Sequence, residues 1–293
     1  MAVVESDLVE QAPAKINFTL RVVGRRADGY HELESLVAFA DLGDTLQLRL
    51  DGPAALKVSG VYAGACGAPA HNLVLKAATA LAAQVAGLKL GTFLLDKELP
   101  VAAGLGGGSA DAAAALRLLA RANALVPDDP RILAAAAATG ADVPVCVESR
   151  ARIMRGIGEK LGTPLDLPRL DAVLVNPGVA VATKDVFARL DLAKLAKTPL
   201  GEVPRERNAL FDCLGRAGND LTESAIACAP VIGEVLAAIA ATPRCRLARM
   251  SGSGGTCFAL FDNPGEAEAA ARSLRQSHPD WWIMPATLGS SRP

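Results

Sequence analysis

Apolar and polar residues alternate over the first fifty positions of the chain. From residue 15 to residue 22 every second residue is apolar, a period of two that is typical of a strand with one buried face. An Asp28-Gly29 turn leads into a second apolar segment at 33–42, and residues 45–50 alternate again. The pattern predicts an antiparallel sheet made of separate strands.

Further along, apolar residues recur at helical spacing, and strands occur between the helices. Asn72 precedes the first of these helices, where its side chain can cap the first turn, and Gly140 ends a short alanine-rich helix. Arg117 and Arg121 are expected on the solvent face of a helix that begins at Ser109. The predicted helices cover residues 72–86, 109–125, 131–139, 221–230, 231–242 and 265–276. Further strands are predicted at 90–100, 171–178 and 257–261.

A proline-rich stretch at 161–170 separates two parts of the chain. Because a domain usually takes about 100–200 residues, a chain of 293 residues suggests two domains or one large one. We expect the boundary near residue 165, which gives domains 1–165 and 166–293. Strands and helices are mixed in both parts, so the expected fold class is α+β, with mixed sheets packed against helices.

Composition and charge exclude several classes of protein. With 30 Lys and Arg against 31 Asp and Glu, the net charge of −1 gives no reason to expect a nucleic acid polymer or a membrane surface as partner. A hydrophobic fraction of 51% argues against disorder. The acidic start lacks the features of a signal peptide, and no stretch approaches about 18 apolar residues. We therefore expect a cytoplasmic enzyme whose six scattered cysteines are free thiols.

A glycine-rich segment, residues 100–110, carries the clearest chemical signal. Glycines let successive backbone amides point into one concavity, and a following helix adds the positive end of its dipole, which suits a polyphosphate. The spacing matches neither a Walker A loop nor a G-x-G-x-x-G fingerprint. Ser109 could bind a phosphate oxygen or Mg²⁺, although N-capping would also explain a serine there. A flexible turn or an ordinary helix start remains the alternative for the whole segment.

Two charged residues could take part in phosphoryl transfer. Lys15 lies on the polar face of the first predicted strand, beside Asn17, and could steady a phosphoryl group or lower the pKa of a hydroxyl. A solvated lysine on an edge strand is the alternative. Asp142 follows Gly140 and precedes an apolar segment predicted as a strand, where a carboxylate could accept a proton from a substrate hydroxyl. An aspartate that bonds its own turn is the alternative.

Two further features could contact a ligand. Tyr30 and His31 follow the Asp28-Gly29 turn and would present an aromatic face and a ring nitrogen together, as suits a nucleobase or a sugar. A turn with a packed tyrosine is equally compatible with the pattern. A second glycine cluster at 251–256 could face a ligand or form a tight hairpin, and the sequence does not separate these interpretations.

Taken together, these motifs resemble the GHMP superfamily of small-molecule kinases over nearly the whole chain. The superfamily pattern appears in order as Pro13-Ala14-Lys15-Ile16-Asn17, Pro100 to Ser109, and Ser251 to Thr256. Residues 26–31 and 140–144 are similar to the branch that acts on a cytidine-diphosphate sugar alcohol. The resemblance implies a two-domain GHMP kinase fold with the active site in the cleft between the domains, and a small-molecule kinase that uses ATP and Mg²⁺.

The resemblance also implies roles for individual residues. Asp142 is the expected general base, and Lys15 is expected to hold and polarise the accepting hydroxyl. Asn17, Tyr30, His31 and Thr183 are expected to contact the substrate. Lys97 and Asn72 match positions near the nucleotide. The residues expected to wrap the ATP phosphates are Pro100, Val101, Ala102, Ala103, Gly104, Leu105, Gly106, Gly107, Gly108, Ser109 and Ala110.

Departures from the superfamily pattern are small, and two other functions stay open. Positions 102 and 103 are alanines where some relatives carry glycines, and Asp111 replaces a common asparagine. The alternatives are another GHMP kinase, such as one of the mevalonate type, and an inactive nucleotide-binding sensor of the same fold. The residue pattern predicts neither an oligomeric state nor side-chain ligands for Mg²⁺.

Overall fold

A computed structural model of the chain describes residues 8–191, 195 and 200–289. The strands are β1 Val9–Asn17, β2 Arg21–Arg25, β3 His31–Arg49, β4 Ala55–Ser59, β5 Thr92–Asp96, β6 Arg152–Gly156, β7 Lys160–Leu161, β8 Leu170–Asn176, β9 Leu247–Met250, β10 Cys257–Phe261 and β11 Trp282–Gly289. The helices are α1 Leu73–Ala82, α2 Gly107–Ala122, α3 Pro130–Thr139, α4 Val143–Glu148, α5 Thr183–Ala188, α6 Arg207–Arg216, α7 Thr222–Cys228, α8 Val231–Ala240 and α9 Pro264–Ser277. None of the described helices combines the length and the apolar character needed to cross a membrane.

The described chain forms two compact units, and neither is continuous in sequence. The first unit contains residues 8–14, 42–101 and 106–149, and the second contains 15–41, 102–105 and the described residues from 150 onward. The predicted boundary near residue 165 lies inside the second unit, because residues 31–41 pack with strands that come much later in the chain. The division into domains 1–165 and 166–293 stays a prediction.

Helix α2 is the centre of the first unit. Its residues from Ala110 to Ala120 are all buried, and the six alanines among them allow close packing against neighbouring elements. Arg117 is therefore buried, and the prediction that it faces solvent is wrong, whereas Arg121 is exposed as expected. The Arg117 guanidinium donates to Glu10 at 2.9 Å and to the Gln11 carbonyl at 2.7 Å. These partners compensate the cost of burying its charge.

Strands β4 and β5 and the second half of β3 belong to the first unit. Their sheet is mixed, because it contains both antiparallel and parallel pairs. Residues 45–49 of β3 pair antiparallel with β5, whereas β4 pairs parallel with β5. The side chain of Asn72 accepts a hydrogen bond from Val74 at 2.9 Å, so its predicted capping of α1 is confirmed.

The second unit is a largely antiparallel sheet packed with helices. Its strand order is β3-β11-β8-β10-β9, and β2 and β6 also pair with β3. The predicted hairpin around the second glycine cluster is present as β9 and β10, with Met250 opposite Cys257. The helices predicted over 221–242 and 265–276 are confirmed as α7, α8 and α9. The α+β class is confirmed, and all six cysteines are free.

Four further local predictions were wrong. The strand predicted over 15–22 is interrupted between β1 and β2, and both of its faces are buried. The segments at 33–42 and 45–50 form one strand, β3, of 19 residues. Helix α2 begins at Gly107, ahead of the predicted Ser109, because Gly106 takes the left-handed cap position. Asp142 precedes a helix, α4, where a strand was expected.

Candidate active site

The middle of the glycine-rich segment is anchored in the second unit through three consecutive carbonyls. The carbonyl oxygens of residues 103–105 accept hydrogen bonds from the Thr256 amide at 2.9 Å, the Ser251 hydroxyl at 2.9 Å and the Lys15 amide at 2.8 Å, respectively. This segment therefore joins the first strand and the β9–β10 hairpin, which carry the other two superfamily motifs. The three motifs meet through backbone groups.

Anchoring the carbonyls determines where the amides point. In a trans peptide, the N–H of one residue is directed opposite to the carbonyl of the residue before it. The amides of Gly104 and Leu105 are therefore directed away from the hairpin that holds their neighbouring carbonyls. Consecutive amides presented in this way form an anion-binding concavity. The flexible-turn interpretation of the segment is wrong for residues 103–105, since all three are tied down.

The backbone conformation and the close surroundings of Gly104 require a glycine. Its φ is +75°, and an added Cβ would lie 2.6 Å from the carbonyl oxygens of both Ser251 and Gly254. A backbone in the left-handed region favours glycine, and a distance of 2.6 Å is a steric overlap. The close approach of the segment to the hairpin thus depends on the missing side chain.

Lys15 and Asn17 are buried beside this anchor. Their exposed fractions are 4% and 5%, so the interpretation of Lys15 as a solvated surface charge is wrong. The Asn17 amide donates to the Ser251 hydroxyl at 3.1 Å, and the Asn17 side-chain amide donates to the Ser35 hydroxyl at 2.7 Å. Buried polar groups held in this way have fixed orientations, as a substrate-orienting group requires.

Tyr30 and His31 leave the Asp28-Gly29 turn in different environments. The side chain of Tyr30 is 62% exposed, so the packed-tyrosine alternative is wrong. The His31 ring stacks on Phe187, with 4.9 Å between the ring centroids. Burial, followed by the charge of Arg25, lowers the pKa of His31, which favours the neutral ring. A neutral imidazole can donate and accept one hydrogen bond each, as nucleobase recognition needs.

Helix α5 connects this aromatic pair with the second glycine cluster. Its first residue, Thr183, shares a hydrogen bond of 2.8 Å with the hydroxyl of Ser253. Phe187 follows four residues later, so it lies on the same face of the helix. The structure thus brings Thr183, His31 and the glycine cluster to one region of the second unit. Phe187 and Ser253 were not singled out from the sequence, although the spacing of four from Thr183 was visible there.

The remaining predicted residues lie in the first unit. Asp142 is half-buried at the start of α4, and its side chain makes no capping hydrogen bond to that helix. Ser109 is the third residue of α2 and is half-buried, so the N-capping explanation for it is wrong. The segment ends in the first turn of α2, where free backbone amides at a helix start favour an anion.

Asn72 and Lys97 have partners within the first unit. Asn72 caps α1, as described above. Lys97 is 3% exposed, and its ammonium donates to Asp44 at 2.5 Å and to Asp111 at 2.7 Å. Burial opposes the charge on Lys97, but the two carboxylates outweigh it and raise the pKa of the ammonium. Contacts of either residue with a nucleotide stay predictions.

Comparisons with known proteins agree with these motifs. Residues 72–150 match the family described as GHMP kinases N terminal domain, and 205–280 match GHMP kinases C terminal. The chain is 55% identical to 4-diphosphocytidyl-2-C-methyl-D-erythritol kinase of Rhodopseudomonas palustris strain BisA53, over 98% of this chain and 100% of that one. The chain belongs to this family of GHMP kinases. The corresponding kinase of Methylorubrum extorquens is also 55% identical, over 97% of this chain and 99% of that one.

Solved structures give the same family. A crystal structure of 4-(cytidine 5'-diphospho)-2C-methyl-D-erythritol kinase is similar to the chain with a TM-score of 0.75 and 34% identity, over 96% of this chain and 99% of that one. A mevalonate kinase is similar with a TM-score of 0.70 but only 12% identity, over 96% and 99% of the two chains. This second likeness shows the GHMP fold alone. The predicted GHMP kinase fold is confirmed.

Proposed function

We propose that this GHMP kinase transfers the γ-phosphoryl group of ATP to the 2-hydroxyl of 4-diphosphocytidyl-2-C-methyl-D-erythritol, a step of non-mevalonate isoprenoid precursor synthesis. The observation that carries the proposal is the anchored glycine-rich segment, which directs backbone amides away from its anchor as a polyphosphate site requires. The relatives that are 55% identical over nearly the whole chain supply the identity of the acceptor. The partners of the enzyme are then small molecules.

Binding of ATP relies on the backbone of residues 100–110. The amides of this segment hold the phosphates, and Asn72 and Lys97 lie near the nucleotide. Phosphoryl transfer depends mainly on positioning and on stabilisation of charge. A backbone site that is already rigid before ATP binds supplies both.

Transfer of the phosphoryl group needs a base and a cation. The oxygen of the 2-hydroxyl forms a bond to the γ-phosphorus, and the bond from that phosphorus to the β–γ bridging oxygen breaks, which releases ADP. Asp142 accepts the hydroxyl proton as the new bond forms, and Lys15 holds and polarises the hydroxyl. Asn17, fixed by Ser251 and Ser35, orients the acceptor.

The cytidine end of the acceptor is placed against the aromatic region of the second unit. Exposed Tyr30 offers a ring face, and His31, supported by Phe187, offers ring nitrogens. Thr183 contacts the acceptor from the start of α5. Stacking and a few directed hydrogen bonds are how proteins recognise a single nucleobase.

Mg²⁺ fits this site as a partner of ATP. The part of the chain that the structure describes holds no group of three or more His, Cys, Asp or Glu side chains able to bind a metal ion. In nucleotide sites, Mg²⁺ commonly uses phosphate oxygens, water and only one or two protein oxygens. Ser109, which is half-buried, would supply one such oxygen. When bound, Mg²⁺ neutralises negative charge on the phosphates.

An ADP-release assay with purified protein tests the proposal. With ATP and Mg²⁺, we expect turnover with the cytidine-diphosphate acceptor and none with mevalonate or homoserine. Turnover with mevalonate alone would show another GHMP kinase, and binding of ATP without turnover on any acceptor would show an inactive sensor. Either result contradicts the proposal.

The general base is tested by Asp142→Asn. We expect kcat to fall by about a hundredfold or more, because the loss of a general base typically costs two to four orders of magnitude, while ATP still binds. Asp128→Asn, at an exposed aspartate of the same unit, is the matched control and should keep full activity. Near wild-type turnover in Asp142→Asn would remove Asp142 from this role.

A further inference from the structure

A buried cluster of three ionisable side chains lies in the first unit. The Lys97 ammonium lies between two carboxyl groups, at 2.5 Å from Asp44 and 2.7 Å from Asp111. The side chains of the three residues are at most 4% exposed. Removing one partner from a buried group of this kind leaves an uncompensated charge, which is strongly unfavourable. The three residues are therefore expected to act as one unit.

Asp44 connects the cluster to the start of the glycine-rich segment. One carboxylate oxygen of Asp44 binds Lys97, and the other accepts hydrogen bonds from the amides of Glu98 at 2.7 Å and Leu99 at 2.8 Å. Glu98 and Leu99 directly precede Pro100, the first residue of the segment. Asp44 thus fixes the backbone at the point where the segment begins.

Asp111 and Gly107 connect the cluster to the end of the segment. Asp111 lies on α2, one residue after Ala110, with which the segment ends. An added Cβ at Gly107, the first residue of α2, would lie 3.1 Å from the Lys97 ammonium and 3.6 Å from Asp44. The ammonium therefore packs directly against the first turn of the helix whose amides form part of the anion site.

We propose that Asp44, Lys97 and Asp111 are positioning residues that hold the two ends of the glycine-rich segment at a fixed separation. The proposal rests on the proposed function of that segment in ATP binding. It differs from a direct contact between Lys97 and the nucleotide. In this arrangement Lys97 acts through the backbone, and the amides of the segment bind the phosphates.

The variant Asp111→Ala separates these two roles of Lys97. If Lys97 contacted the nucleotide directly, loss of a competing carboxylate would leave nucleotide affinity unchanged or raise it. If the cluster positions the segment, the end of the segment is released and the affinity for ADP falls. We expect the Kd for ADP, measured by calorimetry, to rise about tenfold or more, since small displacements in such sites are costly. Unchanged or tighter ADP binding would overturn the proposal.

Two further variants make the test independent of a folding defect. Asp44→Asn keeps the shape of the side chain, but an amide has one accepting oxygen and one donating NH2 group. The NH2 group would therefore face another donor, either the Lys97 ammonium or the two backbone amides. We expect weaker ADP binding here too. Conversely, Asp111→Asn retains an acceptor for Lys97 and should restore ADP affinity to within about threefold of the wild-type value. Tenfold weaker binding in Asp111→Asn would contradict the proposal.

Arg117→Met is the matched control, because it breaks another buried ion pair on the same helix. Arg117 and Glu10 are about as buried as the cluster and interact at 2.9 Å. We expect this variant to lower Tm as much as Asp111→Ala but to leave ADP affinity unchanged. Equal losses of affinity in both variants would show general destabilisation of α2 and overturn the proposal. ADP binding is measured without an acceptor, so the result does not depend on which substrate the enzyme phosphorylates.

Discussion

The hydroxyl of Ser251 donates a hydrogen bond to the carbonyl oxygen of Gly104 across 147 positions of sequence. The same hydroxyl accepts a hydrogen bond from the Asn17 amide, and Ser251 is completely buried. One side chain therefore holds the first strand, the glycine-rich segment and the β9–β10 hairpin in contact. Its position explains why motifs so far apart in the chain contribute to one site.

Removing this hydroxyl should weaken both the fold and ATP binding. In Ser251→Ala, the Gly104 carbonyl and the Asn17 amide lose a buried partner, which typically costs about 1–3 kcal/mol. We expect a loss of this size in urea unfolding and a KM for ATP raised severalfold. Thr242→Val removes another buried hydroxyl of the second unit, which donates to Ile239, and serves as control. It should lower stability only, and an equal rise in KM there would contradict the role given to Ser251.

A methyl group at Gly104 should be more damaging than the same change elsewhere. Gly104→Ala adds both a strained left-handed backbone and overlap with the Ser251 and Gly254 carbonyls. Gly201 has the same φ of +75° but nothing within 4 Å of an added Cβ, so Gly201→Ala isolates the backbone strain. We expect Gly104→Ala to show the lower Tm and a large loss of kcat/KM for ATP. Equal Tm losses in the two variants would mean that the segment can shift to relieve the overlap at Gly104 with no further loss of stability.

Local patterns allowed six of the nine described helices and the strands β5, β8 and β10 to be predicted, because their signals lie within a few residues. Strands β4, β6, β7 and β11 were not predicted. Asn72 caps α1 through Val74, two residues away, whereas the glycine cluster at 251–256 left a hairpin and a ligand-facing loop equally open. The continuity of β3 could not be predicted in this way. Gly43 resembles a strand break, yet a Cβ there would overlap the Ala12 backbone. The glycine permits close approach of a neighbouring strand without ending β3.

The motifs that form the candidate site could be predicted from the sequence, but the contacts between them could not. Lys15, Asn17 and residues 103–105 were all singled out, whereas the hydrogen bonds that connect them, directly or through Ser251, depend on contacts between distant parts of the chain. Burial was harder still to predict. Arg117 was predicted to face solvent and Lys97 to lie near the nucleotide, and neither prediction includes their buried partners Glu10, Asp44 and Asp111.

The stacked pair of His31 and Phe187 should matter for the acceptor and not for ATP. Phe187→Leu keeps an apolar side chain but removes a ring contact of a kind worth about 0.5–1.5 kcal/mol. We therefore expect the KM for the cytidine-diphosphate acceptor to rise about two- to tenfold, with the KM for ATP unchanged. Phe211→Leu, at a buried ring beside Arg246, is the control and should affect stability alone. A change in the KM for ATP in Phe187→Leu would refute this assignment.

The Asp111 carboxyl should make stability depend on pH. Burial raises its pKa to about 8, with Asp44 adding to the effect and Lys97 opposing it. The ordinary pKa of 3.8 applies to the unfolded chain. Between about pH 4 and pH 8 the folded protein therefore retains a proton that the unfolded chain has lost. This contribution to stability is complete below pH 4, falls as the pH rises through that window, and levels off above pH 8.

Asp111→Asn isolates this titration, because the amide keeps the shape of the carboxyl and has no proton to lose in this range. Urea unfolding of wild type and variant at pH 5, 6, 7, 8 and 9 gives the difference in free energy of unfolding, in which the titrating groups that do not interact with Asp111 cancel. We expect the variant to become more stable relative to the wild type from pH 5 to pH 8, and the difference in free energy of unfolding to stay constant above pH 8. Parallel curves over the whole range would show that Asp111 is ionised in the folded protein at every pH tested.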